Sequence, residues 1–228
     1  MTELREPIGR SHRYWLTLIV GIWLPLLVFS VLAVTVGWYG DGFLWEIPIL
    51  QAVHATVQPE LDGFARTLTK FGVFWGVFPV AIVTGLVLLY QRRWRSLLYV
   101  AITLFSNIVI NRTAKIFFHR VRPHLWEVPL PEPDYSFPSG HAMSSMTLVV
   151  VLVALMWSTR WCGWVLVGGS VFVVAIAWTR LYLGVHYPSD ILAGWMLSLA
   201  WAVGANLLIQ PQQPSTDTPV ESNSPEFP

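Results

Sequence analysis

The hydrophobic positions of this chain fall into long runs separated by short polar segments, and six of the runs approach the length of a bilayer crossing. A helix needs about 20 apolar residues to traverse a hydrocarbon core about 30 Å thick. The stretches at roughly 14–37, 72–90, 97–114, 141–157, 163–181 and 188–209 meet or approach that length. Each must be helical, because an unpaired backbone amide in hydrocarbon is costly. The run at 141–157 is short and opens on polar residues. Pro25 and Pro79 fall inside runs, which predicts kinks. The expected fold class is therefore all-α: an integral membrane six-helix bundle.

The segments between the runs refine this picture. Arg5, Arg10 and Arg13 precede the first run as they would precede a secretory signal. Its apolar length exceeds a signal core and no small-residue cleavage site follows, so it reads as a permanent span. Segment 38–71 is too polar to cross. Leu61, Phe64, Ala65 and Leu68 predict an extramembrane or interfacial helix there, between the first two spans. From Pro211 to Pro228 the chain is rich in Pro, Ser, Thr and acidic residues, with little to bury, and predicts a disordered cytoplasmic tail. Residues 1–210 then form a single transmembrane domain without internal repeats.

Composition agrees with lipid as the main solvent. The chain of 228 residues is 54% hydrophobic and 12% charged, whereas ordinary soluble domains carry about 25% charged residues. Tryptophans such as Trp38, Trp45, Trp94 and Trp157 fall at the ends of runs, as an interfacial belt requires. The net charge of +1 carries no polyanion signature, so nucleic-acid binding is not indicated. The single Cys162 excludes an internal disulfide and a multi-cysteine metal site, and reads as a small loop or helix-end residue. Basic residues divide equally between the two sets of helix ends. Setting aside Lys115, Arg122 and Arg180 as site residues leaves the excess with the termini and the 91–96 loop. The termini are accordingly expected in the cytoplasm of a bacterial-type inner membrane.

Those three cations belong to three clusters that carry candidate chemistry. Lys115 is followed by Arg122-Pro123; then come Pro138-Ser139-Gly140-His141; then Arg180, His186 and Asp190. In a chain that alternates direction, these clusters lie at four helix ends on one membrane face. Lys115, Arg122 and Arg180 can surround a phosphate dianion, the arginines with paired N–H donors and the lysine as a point charge. Ser139 and Gly140 open a helix whose free N–H groups favour an anion. Asp190, one turn beyond His186, can keep one imidazole nitrogen protonated and leave the other as a nucleophile. His141 remains as general acid for the leaving oxygen and base for water. Taken singly, each cation reads equally as a headgroup anchor, and Asp190 as a helix-start residue.

Together the clusters resemble the type 2 phosphatidic acid phosphatases, the lipid phosphate phosphatases. That family's pattern is Lys-x6-Arg-Pro, Pro-Ser-Gly-His and Ser-Arg-x5-His-x3-Asp. Lys115, Arg122, Pro123, Pro138, Ser139, Gly140, His141, Arg180, His186 and Asp190 all match; Thr179 replaces the usual Ser but keeps a hydroxyl. The resemblance implies a phosphohistidine on His186, acid–base work by His141, phosphate binding by Lys115, Arg122, Ser139, Gly140 and Arg180, and no metal or other cofactor. The implied substrate is a lipid phosphate within the bilayer: phosphatidic acid, phosphatidylglycerol phosphate or an undecaprenyl diphosphate type. Alternatives are a lipid phosphotransferase with the same intermediate, and a non-catalytic lipid or anion transporter or binder. The motifs also occur in soluble vanadium haloperoxidases, which six spans disfavour. The site is expected on the periplasmic or extracellular face, and no obligate protein partner is evident. His12, His54, His119 and His124 read as loop or interface residues, Arg112 and Arg120 as anchors or headgroup contacts. Glu127, Glu132 and Asp134 lie in the loop over the site, with no catalytic part expected.

Overall fold

The computed structural model describes residues 8–39, 42–126 and 132–213, which are helical with short connections. Arg5, Glu127 and the chain beyond Gln213 lie outside the described residues. Helices α1 (Ile8–Leu18) and α2 (Leu24–Tyr39) are joined without a break by a π-helical turn at Ile19–Trp23. Then follow α3 (Glu46–His54), α4 (Pro59–Phe71), α5 (Val77–Tyr90), α6 (Trp94–Phe118), α7 (Gly140–Met156), α8 (Cys162–Tyr182) and α9 (Pro188–Ile209). Among the described residues four helical stretches are long and apolar enough to cross a membrane: Tyr14–Trp38, Trp94–Phe118, Cys162–Tyr182 and Pro188–Ile209. Helices α5 and α7, of 14 and 17 residues, are apolar but shorter.

The two prolines behave differently, for one physical reason. Proline lacks the N–H that an interior helical turn needs. At Pro25 the chain adapts one turn earlier, where Leu24 N–H reaches back five residues to the Ile19 carbonyl. A π-turn of this kind absorbs the lost bond. The expected kink at Pro79 does not arise, because α5 begins at Val77 and places Pro79 in its first turn. First-turn N–H groups have no intrahelical partner to lose.

Helix α9 is the central element, packed against α7, α2 and α6. Its buried face is made of small residues, Ala193, Gly194, Ser198, Ala202 and Ala205, which let neighbouring backbones approach closely. Hydrophobic burial gives no net drive between helices in lipid, so packing and hydrogen bonds hold them together. Asn107 Oδ1 on α6 accepts from Thr147 on α7 at 3.0 Å and Ser198 on α9 at 3.3 Å. Tyr99 donates to the Ala202 carbonyl at 3.1 Å, and Trp201 Nε1 to Ser106 Oγ at 2.8 Å. Each such bond contributes on the order of 1 kcal/mol. Outward faces of α2, α5, α6 and α8 display Leu27, Val83, Phe105 and Val171.

The interfacial segment resolves as two helices rather than one, with Pro59 starting the second. Ala65 is fully buried against Tyr182, Leu183 and Val185, while Phe64 faces outward. Helix α4 is thus docked on the end of α8. Cys162 begins α8, a helix-end position as expected. The first three residues of the expected tail, 211–213, are packed against the bundle. Pro211 is buried, Ser96 and Arg93 donate to the Gln212 carbonyl, and Gln213 donates to Ala154 O at 3.1 Å.

The turn between α4 and α5 depends on Gly76, where a Cβ would overlap the Phe71 carbonyl. Gly76→Ala is expected to cost roughly 1–3 kcal/mol, read as a lower Tm in detergent. Gly63→Ala, where nothing lies within 4 Å, is expected to raise Tm slightly, since alanine favours a helix interior by about 1 kcal/mol.

Candidate active site

Four helix ends converge on one side of the bundle. Helix α6 terminates at Phe118 because His119 adopts a left-handed conformation at φ 48°. Its last turn carries Lys115, and the chain leaving it carries Arg120 and Arg122, all three buried. Helix α7 opens at Ser139-Gly140-His141; α8 closes with Arg180 in its last turn; α9 opens with Asp190 in its first turn. Ser139 N–H donates to the Asp190 carbonyl at 3.0 Å, and Arg122 Nη1 to the Val185 carbonyl at 2.7 Å, tying three of these ends together.

His186 sits at the centre and is 1% exposed. Its Nδ1 lies 3.3 Å from Asp190 Oδ2. A carboxylate only accepts, so Nδ1 carries the proton and Nε2 keeps a lone pair. Arg122 Nη1 donates to that lone pair at 3.1 Å. Asp190 Oδ2 also accepts from Tyr187 N–H at 2.8 Å, which fixes the carboxylate at the helix start. Burial, then the charges of Arg122 and Arg180, push the His186 imidazole well below its ordinary 6.5. It is therefore neutral at physiological pH.

Around Nε2 stand the groups read from the sequence. Arg180 Nη1 donates to Thr69 Oγ1 at 2.7 Å, which anchors the guanidinium to α4. Lys115 Nζ donates to Asp134 Oδ2 at 2.7 Å and the Tyr135 carbonyl at 2.6 Å. Ser139 Oγ and Arg180 Nε are buried without a hydrogen-bond partner among the described residues. At Gly140 a Cβ would come within 3.2 Å of Asn111 Oδ1, and Asn111 in turn donates to the Pro138 carbonyl at 3.0 Å. His141 lies within electrostatic reach of Arg180, Lys115 and Arg122. All eight expected site residues are thus brought to one place. Among the described residues no group of three or more His, Cys, Asp and Glu side chains converges as a metal ligand set.

The PAP2 superfamily model matches residues 94–214 of this chain. An undecaprenyl-diphosphatase of Sulfolobus acidocaldarius is 30% identical over 77% of this chain and 84% of its own length. The chain belongs to the PAP2 superfamily. A phosphatidylglycerophosphatase B of Bacillus subtilis is 28% identical over 62% of this chain and 72% of its own. The fold matches the crystal structure of a transmembrane PAP2 type phosphatidylglycerolphosphate phosphatase from Bacillus subtilis, with TM-score 0.70 and 24% identity. That match covers 82% of this chain and 94% of the other. The protein is accordingly a multi-pass membrane PAP2 phosphatase, a metal-independent lipid phosphate hydrolase.

The PAP2 site also contains the loop acids Glu132 and Asp134, for which no catalytic part was expected. Glu132 accepts from Arg180 and pairs with Arg122 at 2.6 Å, and Asp134 bridges Lys115 and Arg122. Burial works against both carboxylates, but the cations win. Lys115 and Arg122 hold Asp134 down at about 2, and Arg180 leads the groups that lower Glu132. The two acids therefore occupy Lys115, Arg122 and Arg180, the three cations expected to hold phosphate. Only their place in the loop hinted at this. Thr69 and Asn111 gave no sequence signal at all.

Removing the acids relieves that competition. Glu132→Gln with Asp134→Asn is expected to tighten inhibition by orthovanadate roughly 10-fold, a change of about 1.4 kcal/mol, measured as Ki. Because Asp134 stays ionised down to about 2, lowering the pH of the parent enzyme to the ordinary carboxylate range should not mimic the Asp134 substitution.

Proposed function

We propose that the protein dephosphorylates a long-chain lipid phosphate at the outer face of the membrane, through a phosphohistidine on His186. The observation that carries this reading is the His186 imidazole, protonated toward Asp190 at 3.3 Å while Nε2 faces Arg122 at 3.1 Å. A neutral, oriented imidazole among cations suits attack on a phosphate held by those same cations. Lys115, Arg122, Arg180, Ser139 Oγ and the N–H of Gly140 hold the non-bridging oxygens. His186 Nε2 attacks phosphorus, and the bond to the lipid oxygen breaks. His141, protonated when the phosphate dianion offsets the cations beside it, gives that oxygen its proton and is left neutral. His141 then takes a proton from water, the hydroxide attacks phosphorus, and the P–N bond breaks to release inorganic phosphate and restore His186.

A lipid substrate suits the placement of the site at helix ends, where a headgroup can enter while its chains stay among the helices. An apolar cavity of about 860 Å³ runs along α7, α8 and α9, lined by Met146, Val150, Val173, Trp195 and Leu199. It begins about one turn inside the ends that carry His141 and Asp190, and it is large enough for part of a lipid tail. The relatives named above are a diphosphatase and a monoester phosphatase. Phosphatidic acid, phosphatidylglycerol phosphate and undecaprenyl diphosphate are the substrate classes we propose for this site.

Six crossings complete the proposal. Helix α5 is short at 14 residues, yet the turn before it exposes Phe74 and Trp75 and prolongs its apolar surface. Helix α7 is buried along much of its length, so its polar first turn lies in protein rather than lipid. With six spans both termini share the cytoplasmic side and residues 8–213 act as one domain.

Phosphate release by the purified protein in detergent with EDTA, across those three lipid classes, is the direct test. His186→Ala should lower kcat by about 10³-fold or more while retaining vanadate binding. Burial holds the imidazole neutral, so release by the parent enzyme should persist as pH falls through 6.5 and decline only below it. Loss of release in chelator, or full activity in His186→Ala, contradicts the proposal. For orientation, Pro133→Cys on a Cys162→Ser background should react with an impermeant maleimide on intact spheroplasts; protection there reverses the assignment.

A further inference from the structure

Behind Asp190, on the side away from the phosphate cations, lies a second charged group that the phosphatase motifs do not include. Arg120 is 3% exposed and Glu46 is 1% exposed. Arg120 Nη1 donates to Asp190 Oδ1 at 2.6 Å and Ser189 Oγ at 2.7 Å, and its Nη2 donates to Glu46 Oε2 at 2.6 Å. Glu46 is itself held by Phe43 N–H at 2.8 Å and by Ser189 Oγ. The Arg120 guanidinium lies over the Tyr187 ring at 4.1 Å. Gly42, at φ 80°, passes directly over the pair, and a Cβ there would collide with both Arg120 and Glu46. Such close fitting of backbone to an ion pair fixes the geometry of all three charges.

A buried charge is tolerated only when it is paired and hydrogen-bonded. Asp190 has its His186 partner on one oxygen, but a neutral imidazole supplies no countercharge. Arg120 supplies it on the other oxygen. Burial opposes the charge of Arg120, but Asp190 and Glu46 outweigh burial and raise it further, so the guanidinium is permanently charged. Glu46 takes the Nη2 donor, and so limits how strongly Arg120 draws on Asp190. The groups that reach His186 from the other side are Arg122, Arg180, Glu132 and Lys115, and among the described residues the ion pairs of Asp190 are with Arg120 and His186.

We propose that Arg120 and Glu46 are positioning residues of the hydrolysis, which act through Asp190 to keep His186 in the tautomer with Nε2 free. Arg120 keeps Asp190 ionised as the acceptor for Nδ1–H, and Glu46 sets the strength of that support. The catalytic unit therefore extends to α3, ahead of the 94–214 region matched by the family model. This inference rests on the assignment of His186 as the nucleophile.

The two substitutions act in opposite directions, which a merely structural role does not predict. In Arg120→Gln, Asp190 loses its countercharge and takes up a proton at higher pH. The acid limb of kcat should then move up, and kcat should fall about 10- to 100-fold, the range for groups that orient a first contact, with KM changed less than about two-fold. Arg120→Lys should restore part of kcat. In Glu46→Gln, Arg120 is left to Asp190 alone and the acid limb should move down. Folding is monitored by Tm and by vanadate affinity; if Arg120→Gln does not fold, the Lys and Glu46 variants decide. Acid limbs that stay in place or move together in folded variants overturn this inference. Absence of an alkali-stable phosphohistidine in the rapidly quenched parent enzyme instead overturns the assignment of His186 beneath it.

Discussion

Charge withdrawn from water must be matched locally, and this constraint shapes the whole site end of the protein. Lys115, Arg120, Arg122 and Arg180 are all buried, and each meets a carboxylate. The matching acids come from different parts of the chain: Glu46 from α3, Glu132 and Asp134 from the loop before α7, Asp190 from α9. An unmatched ion in such a place costs several kcal/mol. The charges therefore act as fasteners between segments, beside the apolar contacts that Phe118, Phe137 and Ala193 share. They fix the end of α6, the start of α9 and the interfacial helices against one another.

The cations also divide into two groups with different partners. Arg120 faces inward and is held by acids that are at most 1% exposed. Lys115, Arg122 and Arg180 are held by Glu132 and Asp134, whose side chains are 28% and 32% exposed. Inner pairs are shielded from solvent and serve geometry. Outer pairs sit in a loop, where a phosphate bound as proposed would compete for the same donors. One protein thus uses the same chemistry of guanidinium and carboxylate for rigidity on one side of His186 and for exchange on the other.

How much of this could be read in advance depended on sequence distance. His186 and Asp190 stand one turn apart, so their contact is local and legible, as is Ser139 at the start of a helix. Convergence of the clusters followed from alternation of spans alone. Arg120 was visible but ambiguous, because its partner Glu46 lies on another helix and no periodicity connects them. Thr69 was hidden in the same way, as an ordinary polar position until α4 docks on α8. The Pro79 reading failed on a boundary: a few residues' shift in the start of α5 turns a kink into a helix start. The start of the tail was placed a few residues early, because composition does not reveal that Gln212 meets Ser96 and Arg93.

The balance of charge around His186 has a consequence for how the reaction is driven. With Glu132 and Asp134 seated on the cations, the resting site exerts little long-range attraction on anions dissolved in the surrounding water. Dissolved orthophosphate would have to displace two intramolecular carboxylates with no help from a tethered tail. A lipid-borne phosphate arrives already confined to the plane of the membrane, where its effective concentration beside the site is high. With phosphate held as proposed, the same acids would return to the cations once the product forms and so favour its release.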